Sequence, residues 1–346
     1  MALLGCPAGA GAPDPIASTF GSRLIRSLRT LAITLTQLQA FLAVLRGGSV
    51  KAAAEQLVVT QPSVSAAVGA LSKELGVDLT ERAGRGIRPS PAGEAFAPYA
   101  AEVLGLLEQG RRAAAEAVDA GERELRLSAV TTAGEYLAPP LIQAFAARRP
   151  AIAIQLDVGN RTRVMRRLAD READVAIAGR PPSDGRFAAL PFLENEIVVV
   201  TAPDDPLAAR RTVTLDDLSD RVWLLREEGS GSRAMTEDLL AHHDLSPRRL
   251  TLGSNGAIKH AVRAGLGVAL QSRVAVQIEL QAGLLATVRV RDGLPRRQWF
   301  VLWPSGGPAR AVVDEFVAFA ASREAHAAID QSREIVDTVQ AAARKA

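Results

Sequence analysis

Cysteine is almost absent from this chain. Cys6 stands alone, which excludes an intramolecular disulfide framework and a cysteine-rich metal site. Histidine is scarce as well. The four residues His242, His243, His260 and His326 lack zinc-ligand spacing, so no metal is expected. His242 and His243 are adjacent, cannot share a helical face, and read as solvated. No apolar run approaches the ~20 residues of a membrane span, so no membrane partner is expected. Net charge is also small, +3 over 346 residues, which excludes a general polyanion binder. Any affinity for nucleic acid must come from a local basic surface. In the opening segment Arg23, Arg26 and Arg29 follow the apolar stretch, the wrong order for a secretory signal. Residues 1–33 read as a disordered extension and the protein as cytoplasmic.

The length allows about two to three domains. From Leu35 to Leu75 apolar residues recur at helical spacing, a turn-rich stretch spans Gly84 to Pro91, and one unbroken helical pattern runs from Ala92 to about Ala120. After Gly121 strand-like and helical runs alternate. Strands are predicted at Leu125–Val130, Ile152–Val158, Val175–Ala178, Ile197–Thr201, Val222–Leu225, Leu250–Gly253, Val268–Leu270 and Trp299–Trp303. Helices are predicted between them, as at Thr162–Arg171 and Ala257–Ala264. Such alternation implies a largely parallel sheet. The alanine- and charge-rich tail, residues 323–346, reads as a solvated helix or a frayed end.

Thr36 is placed to cap a first helix running to Arg46, with Leu38, Phe41, Leu42 and Leu45 as its buried stripe. Ser49 caps a second, from Val50, which buries Ala53, Ala54 and Leu57. Thr60 caps a third, Gln61 to Leu75, whose inner face is Val64, Val68 and Leu71. Pro62 is tolerated because the first turn has no backbone donor to lose. Gln61, Ser63 and Ser65 are left pointing outward. A short helix, a tight turn and a capped helix with small polar residues at its start is the helix-turn-helix plan, whose second helix enters the major groove. Glutamine can bond adenine bidentately, serine can bond several bases, and Ala66 and Ala67 can meet thymine methyls. Arg82, Arg85 and Arg88 flank a glycine turn, as in a β-wing whose guanidiniums reach phosphates. Taken alone, the pattern also suits a segment of a helical bundle.

Three runs decide between these readings: Thr36-Gln37-Leu38-Gln39-Ala40-Phe41, Gly48-Ser49-Val50-Lys51-Ala52-Ala53-Ala54-Glu55-Gln56-Leu57, and Thr60-Gln61-Pro62-Ser63-Val64-Ser65. With Leu75-Gly76, Glu81-Arg82 and Pro89-Ser90-Pro91-Ala92-Gly93, they closely resemble the LysR-type regulators over nearly all of residues 34–322. The resemblance implies an α/β multidomain protein. Its parts are a winged helix-turn-helix at 34–91, a dimerisation helix at 92–121 and a two-lobed effector domain at 122–322, of the fold shared with periplasmic binding proteins. Lobe I is expected at about 122–200 plus 300–322 and lobe II at about 201–299, joined by crossover strands near Val198–Thr201 and Trp299–Trp303. Thr80 stands where the family usually has a phenylalanine under the wing. Ala66-Ala67 replace long polar readers, so specificity is expected to lean on Gln61, Ser63, Ser65 and DNA shape.

Phe96, Tyr99, Val103, Leu106, Gly110, Ala113 and Ala117 recur three and four apart, a coiled-coil seam or one helix packed on its own domain. The resemblance implies the former, in a homodimer or dimer of dimers on a pseudo-palindromic site of double-stranded DNA, with RNA polymerase as a further partner.

In the sensor part, several junctions where a strand meets a helix should face one crevice. They are Thr131-Thr132, with Glu135 in capping-box position; Gly179-Arg180; Arg226 through Ser230, Ser232 and Arg233; and Ser254-Asn255 leading to Lys259. Helix amides, hydroxyls and cations together suit an anionic effector, a phosphorylated metabolite or nucleotide. Individually, Arg180, Arg226 and Lys259 suit structural ion pairs equally well. Arg180-Pro181-Pro182, Asn195, the 226–233 stretch, Ser254 to Lys259, Ala264 to Val268 and Gly293-Leu294-Pro295 resemble the branch of RuBisCO-operon regulators, whose members are thought to sense phosphorylated sugars and acids or nicotinamide cofactors.

Two other readings use the same two-lobed fold. A solute receptor needs a signal or lipid anchor and no helix-turn-helix. An enzyme needs a nucleophile–base pair, a metal cluster or a cofactor loop. Thr131, Thr132 and Ser230 have no histidine or cysteine beside them in sequence, His260 being the sole marginal candidate, and Gly229 to Arg233 is not a P-loop. No catalytic residue and no cofactor are expected.

Overall fold

The computed structural model describes residues 32–84, 86–118, 123–291, 293–308 and 310–332. Most of the expected extension, the wing residue Arg85 and most of the expected tail lie outside them. Two compact units divide within one helix, between Leu104 and Gly105.

The first unit opens with α1 (Leu35–Gly47), capped by Thr34 rather than by the expected Thr36. The reason is Gln37: its side chain accepts from the Thr34 amide at 2.8 Å while Thr34 Oγ1 accepts from the Gln37 amide, a complete capping box. Gly48, at φ 64°, turns the chain into α2 (Val50–Leu57), capped by Ser49. Thr60 caps α3 (Gln61–Leu75). Phe41, Ala53, Val64 and Leu71 meet in one buried cluster. The wing is an antiparallel hairpin of β1 (Thr80–Ala83) and β2 (Gly86–Pro89), tied to the α1–α2 turn by the Ile87 amide on the Gly48 carbonyl. The Pro-Ser-Pro-Ala-Gly run closes it. Ser90 Oγ donates to the Asp78 carbonyl at 2.6 Å and accepts from the Gly93 amide, and a Cβ on Gly93 would lie 1.9 Å from the Leu79 carbonyl oxygen. Only glycine allows that approach.

The long helix α4 (Pro91–Val118) follows. Of its expected seam, Tyr99, Val103, Gly110, Ala113 and Ala117 are exposed. Phe96 instead packs against the head's core, its ring 5.9 Å from that of Phe41, and Leu106 meets Gly307 in the second unit.

The second unit has two lobes. Lobe I holds a five-stranded sheet ordered β4-β3-β5-β12-β6, with β3 (Glu124–Val130), β4 (Ala153–Gly159) and β5 (Val175–Ala178) mutually parallel. Against the expected parallel pattern, β12 (Arg297–Pro304) is antiparallel to both β5 and β6 (Phe187–Asn195). Helices α5 (Thr131–Tyr136), α6 (Ala138–Arg148) and α7 (Arg161–Ala169) cover it together with α11 (Ala311–Ala320). No side chain caps α5, so the expected Thr132–Glu135 box does not form. Residues 323–332 are helical and bury Ala325 and Ile329 in the lobe I core, which corrects the solvated reading of that stretch.

Lobe II centres on β7 (Ile197–Thr201), antiparallel to β10 (Ala269–Ser272) and β11 (Ala286–Val288). A bridge from Trp223 to Val268 adds the parallel pair β8 (Trp223–Leu225) and β9 (Arg249–Thr251). Helices α8 (Gly231–His242), α9 (Asn255–Arg263) and α10 (Arg273–Gln281) complete the lobe. The chain crosses between lobes at Glu196, earlier than expected, and β12 lies wholly in lobe I.

Candidate functional site

The head presents one face of α3. Gln61, Pro62, Ser63, Ser65 and Ala66 are exposed there, while Val64 and Val68 point inward. Ser63 is not free to rotate, because its hydroxyl lies 2.8 Å from Thr60 Oγ1, which also accepts from the Ser63 amide. Ser49 spends its hydroxyl on the Ala52 amide. On the wing Arg82 is exposed, whereas Arg88 Nε donates to Glu81 Oε1 at 2.6 Å across the hairpin.

In the second unit a cavity of about 70 Å³ lies between the lobes, at the C-terminal ends of the parallel strands. Thr131, Thr132, Arg226, Ser230 and Ser232 line it. Arg180, Arg233, Ser254, Asn255 and Lys259, also read from the sequence, do not line it. Asn255 is buried one layer behind, donating to Thr132 Oγ1 at 3.2 Å and accepting from Arg226 Nη1 at 2.5 Å. Ser254 caps α9. Arg180 extends its side chain to solvent and offers only its carbonyl, to Arg161.

The expected cations are largely neutralised. Arg226 donates two hydrogen bonds to the Glu227 carboxylate, at 2.7 and 2.9 Å. Arg233 pairs with Glu237 at 2.9 Å, and Lys259 with Glu279 at 2.7 Å. Burial is the largest influence on Lys259 and opposes its charge, but its hydrogen bonds to Glu279 and Tyr136 and the charges of those two groups together outweigh it, and the ammonium is held above its ordinary value.

Positive charge for a ligand comes from two residues outside that set, Arg161 and Arg297. Both line the cavity, and among the described residues neither has a carboxylate at ion-pair distance. Arg161 Nη2 donates to the Arg180 carbonyl at 2.7 Å, while its Nη1 is buried without a hydrogen-bond partner. They converge on Gly179, where a Cβ would lie 3.0 Å from Arg297 Nη2 and 3.9 Å from Arg161 Nη1. Burial, and then the charge of Arg297, pull the Arg161 pKa below the usual arginine range. Burial likewise lowers that of Arg297, with Asp238 opposing and Arg180 reinforcing. Two guanidiniums held this way form a site short of negative charge.

The floor is apolar and partly unsatisfied. Ile197, Met235 and Trp299 line it, and Trp299 Nε1 lacks a partner. Trp299 also sits at a register shift between β12 and β6, where the strand re-aims its side chains. Asn160 caps α7 and Ser230 caps α8, so two helix N-termini open beside the cavity.

Arg161 was legible by the same rule that found Thr131. Gly159-Asn160-Arg161 is a further strand end followed by a capped helix. The helix expected at Thr162–Arg171 starts one residue earlier, at Arg161, which puts that arginine at the junction. Arg297 carried no such signal, since it opens a strand.

Two family profiles match the chain: the bacterial regulatory helix-turn-helix protein, lysR family, over residues 35–94, and the LysR substrate binding domain over residues 119–325. The sequence is 33% identical over 288 residues to the HTH-type transcriptional activator CmpR of Synechocystis sp., covering 83% of this chain and 94% of that one. It is also 33% identical over 295 residues to a RuBisCO operon transcriptional regulator of Allochromatium vinosum, covering 84% and 97%. A solved regulatory domain of Synechocystis CcmR, in complex with 2-PG, superposes with a TM-score of 0.54 at 31% identity, over 57% of this chain and 95% of that one. The helix-turn-helix, the two-lobed module and these relatives agree: the chain belongs to the LysR family and is a DNA-binding transcription regulator with an effector-binding domain.

Proposed function

We propose that this regulator senses a small anion in the cleft between its lobes and reads DNA with the start of α3. The observation that carries the ligand reading is the pair Arg161 and Arg297, half-buried and converging on Gly179, with no carboxylate at ion-pair distance of either among the described residues. A phosphoryl or carboxylate group satisfies both guanidiniums, and Arg161 Nη1 supplies a donor already stripped of water. Thr131, Thr132, Ser230 and Ser232 hold the rest of the molecule, while Arg226 and Asn255 position Thr131 and Thr132. The cavity is small, about 70 Å³. That size favours a short phosphorylated acid over a nucleotide, in line with the 2-PG bound to the Synechocystis domain.

On DNA, Gln61, Ser63 and Ser65 face the major groove and Arg82, Arg85 and Arg88 the phosphates. The exposed seam residues Tyr99 and Val103 pair α4 with a second copy, matching two half-sites. The protein acts in the cytoplasm, where RNA polymerase and its promoters are.

Calorimetric titration of the full chain tests the ligand reading. 2-Phosphoglycolate is expected to bind, glucose and NADH to bind weakly or not at all, and Arg161→Gln to remove the binding. Equal binding by the neutral sugar, untouched by Arg161→Gln, overturns it.

A further inference from the structure

Where the second half of α4 meets lobe I, the contact is ionic and buried. Asp174, whose side chain has no exposure, accepts two bonds from Arg112 of α4, each 3.1 Å, and one from the Arg126 amide at 2.9 Å. Arg310 Nη1 reaches the same carboxylate at 2.7 Å, and its Nη2 pairs with Glu116 of α4. Glu124 and Arg126 complete the set at 3.0 Å. Three carboxylates face three guanidiniums, so the cluster needs no outside ion.

The contact is also close. A Cβ on Gly105 of α4 would lie 2.2 Å from the Asp170 carbonyl oxygen, so backbone meets backbone there. Next to it Arg171 takes φ 55°, a left-handed conformation uncommon outside glycine. In that pose its guanidinium reaches Gln109 of α4 at 3.3 Å and the Gly306 carbonyl at 2.8 Å. An apolar seam tolerates sliding, but a forked guanidinium–carboxylate pair fixes one register. Beside the cluster lies a cavity of about 150 Å³ lined by Gln109, Asp174, Gly307 and Arg310, which leaves room for the ions to re-pair.

Three elements join this cluster to the ligand cleft. Helix α7 has Arg161 at one end, and Asp170 and Arg171 just past the other. Strand β5 has Gly179 beyond one end and Asp174 before the other, about 16 Å apart at roughly 3.3 Å per residue. Strand β12 begins at Arg297 and leads to Gly306 and Arg310. The two arginines read as meeting the anion, and Gly179 between them, thus lie at one end of elements whose other end leads to the cluster.

We infer that the Asp174 cluster is the coupling element of the regulator: it transmits the charge state of the cleft to the register of α4, the helix that continues toward the DNA-binding head. This rests on reading the cleft as the ligand site. Coupling appears as non-additivity between positions too far apart to touch, since uncoupled distant sites add.

The test is a mutant cycle on the full chain, read by amide hydrogen exchange of residues 105–118. Arg297→Met removes one of the two crowded charges in the cleft. Glu116→Gln keeps the shape of the α4 carboxylate and removes its charge. Arg297→Met alone is expected to change protection of 105–118 by at least threefold. In the Glu116→Gln background the same change should shrink to below 1.5-fold. A tie that is only structural gives a faster-exchanging helix in Glu116→Gln and an unaltered response to Arg297→Met. That additive result, or no response to Arg297→Met at all, overturns the inference. Asp174→Asn serves as a deeper cut if it folds, but the cycle does not need it. Adding 2-phosphoglycolate to the wild-type chain separates the two readings. If it fails to bind, the ligand chemistry is wrong, and the cycle still decides the coupling.

Discussion

Arg226 donates to Asn255 at 2.5 Å, and Asn255 donates across the cleft to Thr132 at 3.2 Å. One asparagine therefore joins a lobe II arginine to a lobe I hydroxyl. Both its polar atoms are used and it is 2% exposed. Asn255→Ala strands a buried donor of Arg226 and removes one of the hydrogen bonds that tie the lobes. Leaving a charged group short of a buried partner costs about 1–3 kcal/mol. Calorimetry should show affinity for 2-phosphoglycolate falling about tenfold or more, although the substituted side chain does not line the cavity.

Arg161 and Arg297 are expected to trade stability against binding. In the empty cleft their charges repel in a desolvated place, so removing either relieves the fold. Arg297→Gln should raise the melting temperature of the unliganded protein by a few degrees. It should also weaken anion binding by about 1.5–3 kcal/mol, the scale of a hydrogen bond to a charged group. A variant that loses both stability and binding would show the arginine to be a packing residue.

On the wing, the Glu81 carboxylate offsets the charge of Arg88, which the proposed function sets against phosphate. Glu81→Gln should strengthen binding to all sequences alike and steepen the salt dependence by about one unit of slope. Gln61→Ala should act the other way, costing ~1–3 kcal/mol at the preferred site and little elsewhere. Mobility shifts over a salt series with specific and scrambled DNA separate the two effects.

The wing's seat gives a matched pair. Gly93→Ala places a methyl against the Leu79 carbonyl, which cannot yield without moving the hairpin from the helix, and should cost more than ~2 kcal/mol. Thr80 lies in an open groove lined by Val44, Val68, Val77 and Ile87. Thr80→Phe fills that apolar space and should stabilise by about 1 kcal/mol. Thermal melting of the two variants checks both signs.

Asp217 gives the acid limb of stability a local cause. The Thr214 amide first, then Arg210 and the Thr214 hydroxyl, hold its carboxyl at about 2, below the ordinary 3.8. A depressed folded value favours the folded form above pH 3.8, and the advantage is lost as pH falls toward 2. Asp217→Asn should therefore flatten the fall in melting temperature between pH 4 and pH 2, and leave the curve above pH 5 parallel to wild type.

The head was legible because its instructions are local. Ser49 and Thr60 cap the helices that their spacing assigns, and Val64, Val68 and Leu71 face inward as the period requires. Only the first cap moved, from Thr36 to Thr34, because Gln37 closes a box that a pattern of hydroxyls does not register. In the sensor the strand ends were legible and the charge bookkeeping was not. Arg226 and Arg233 pair with near neighbours in sequence, Glu227 and Glu237, in keeping with the ion-pair alternative open for Arg226, whereas the lack of such a partner at Arg161 depends on what the fold brings near it. Strand β6 escaped notice because Pro191 and Glu194 break its apolar run, and the antiparallel β12 followed from it. The mixed sheet is a long-range fact, with no local sign in the alternation of strands and helices.

Ala325 and Ile329 have a consequence for synthesis. Lobe I takes its core from three separated stretches: β3 to β6, β12 with α11, and the helical run at 323–332. The head completes its own cluster once Leu104 has been made, and lobe II can close after β11. Lobe I has to wait for Ile329 to leave the ribosome. Domains fold as units during translation, the N-terminal ones first. A nascent chain thus presents a finished DNA reader for most of its synthesis before the lobe that carries Arg161 and Arg297 can close, and competence to respond arrives last.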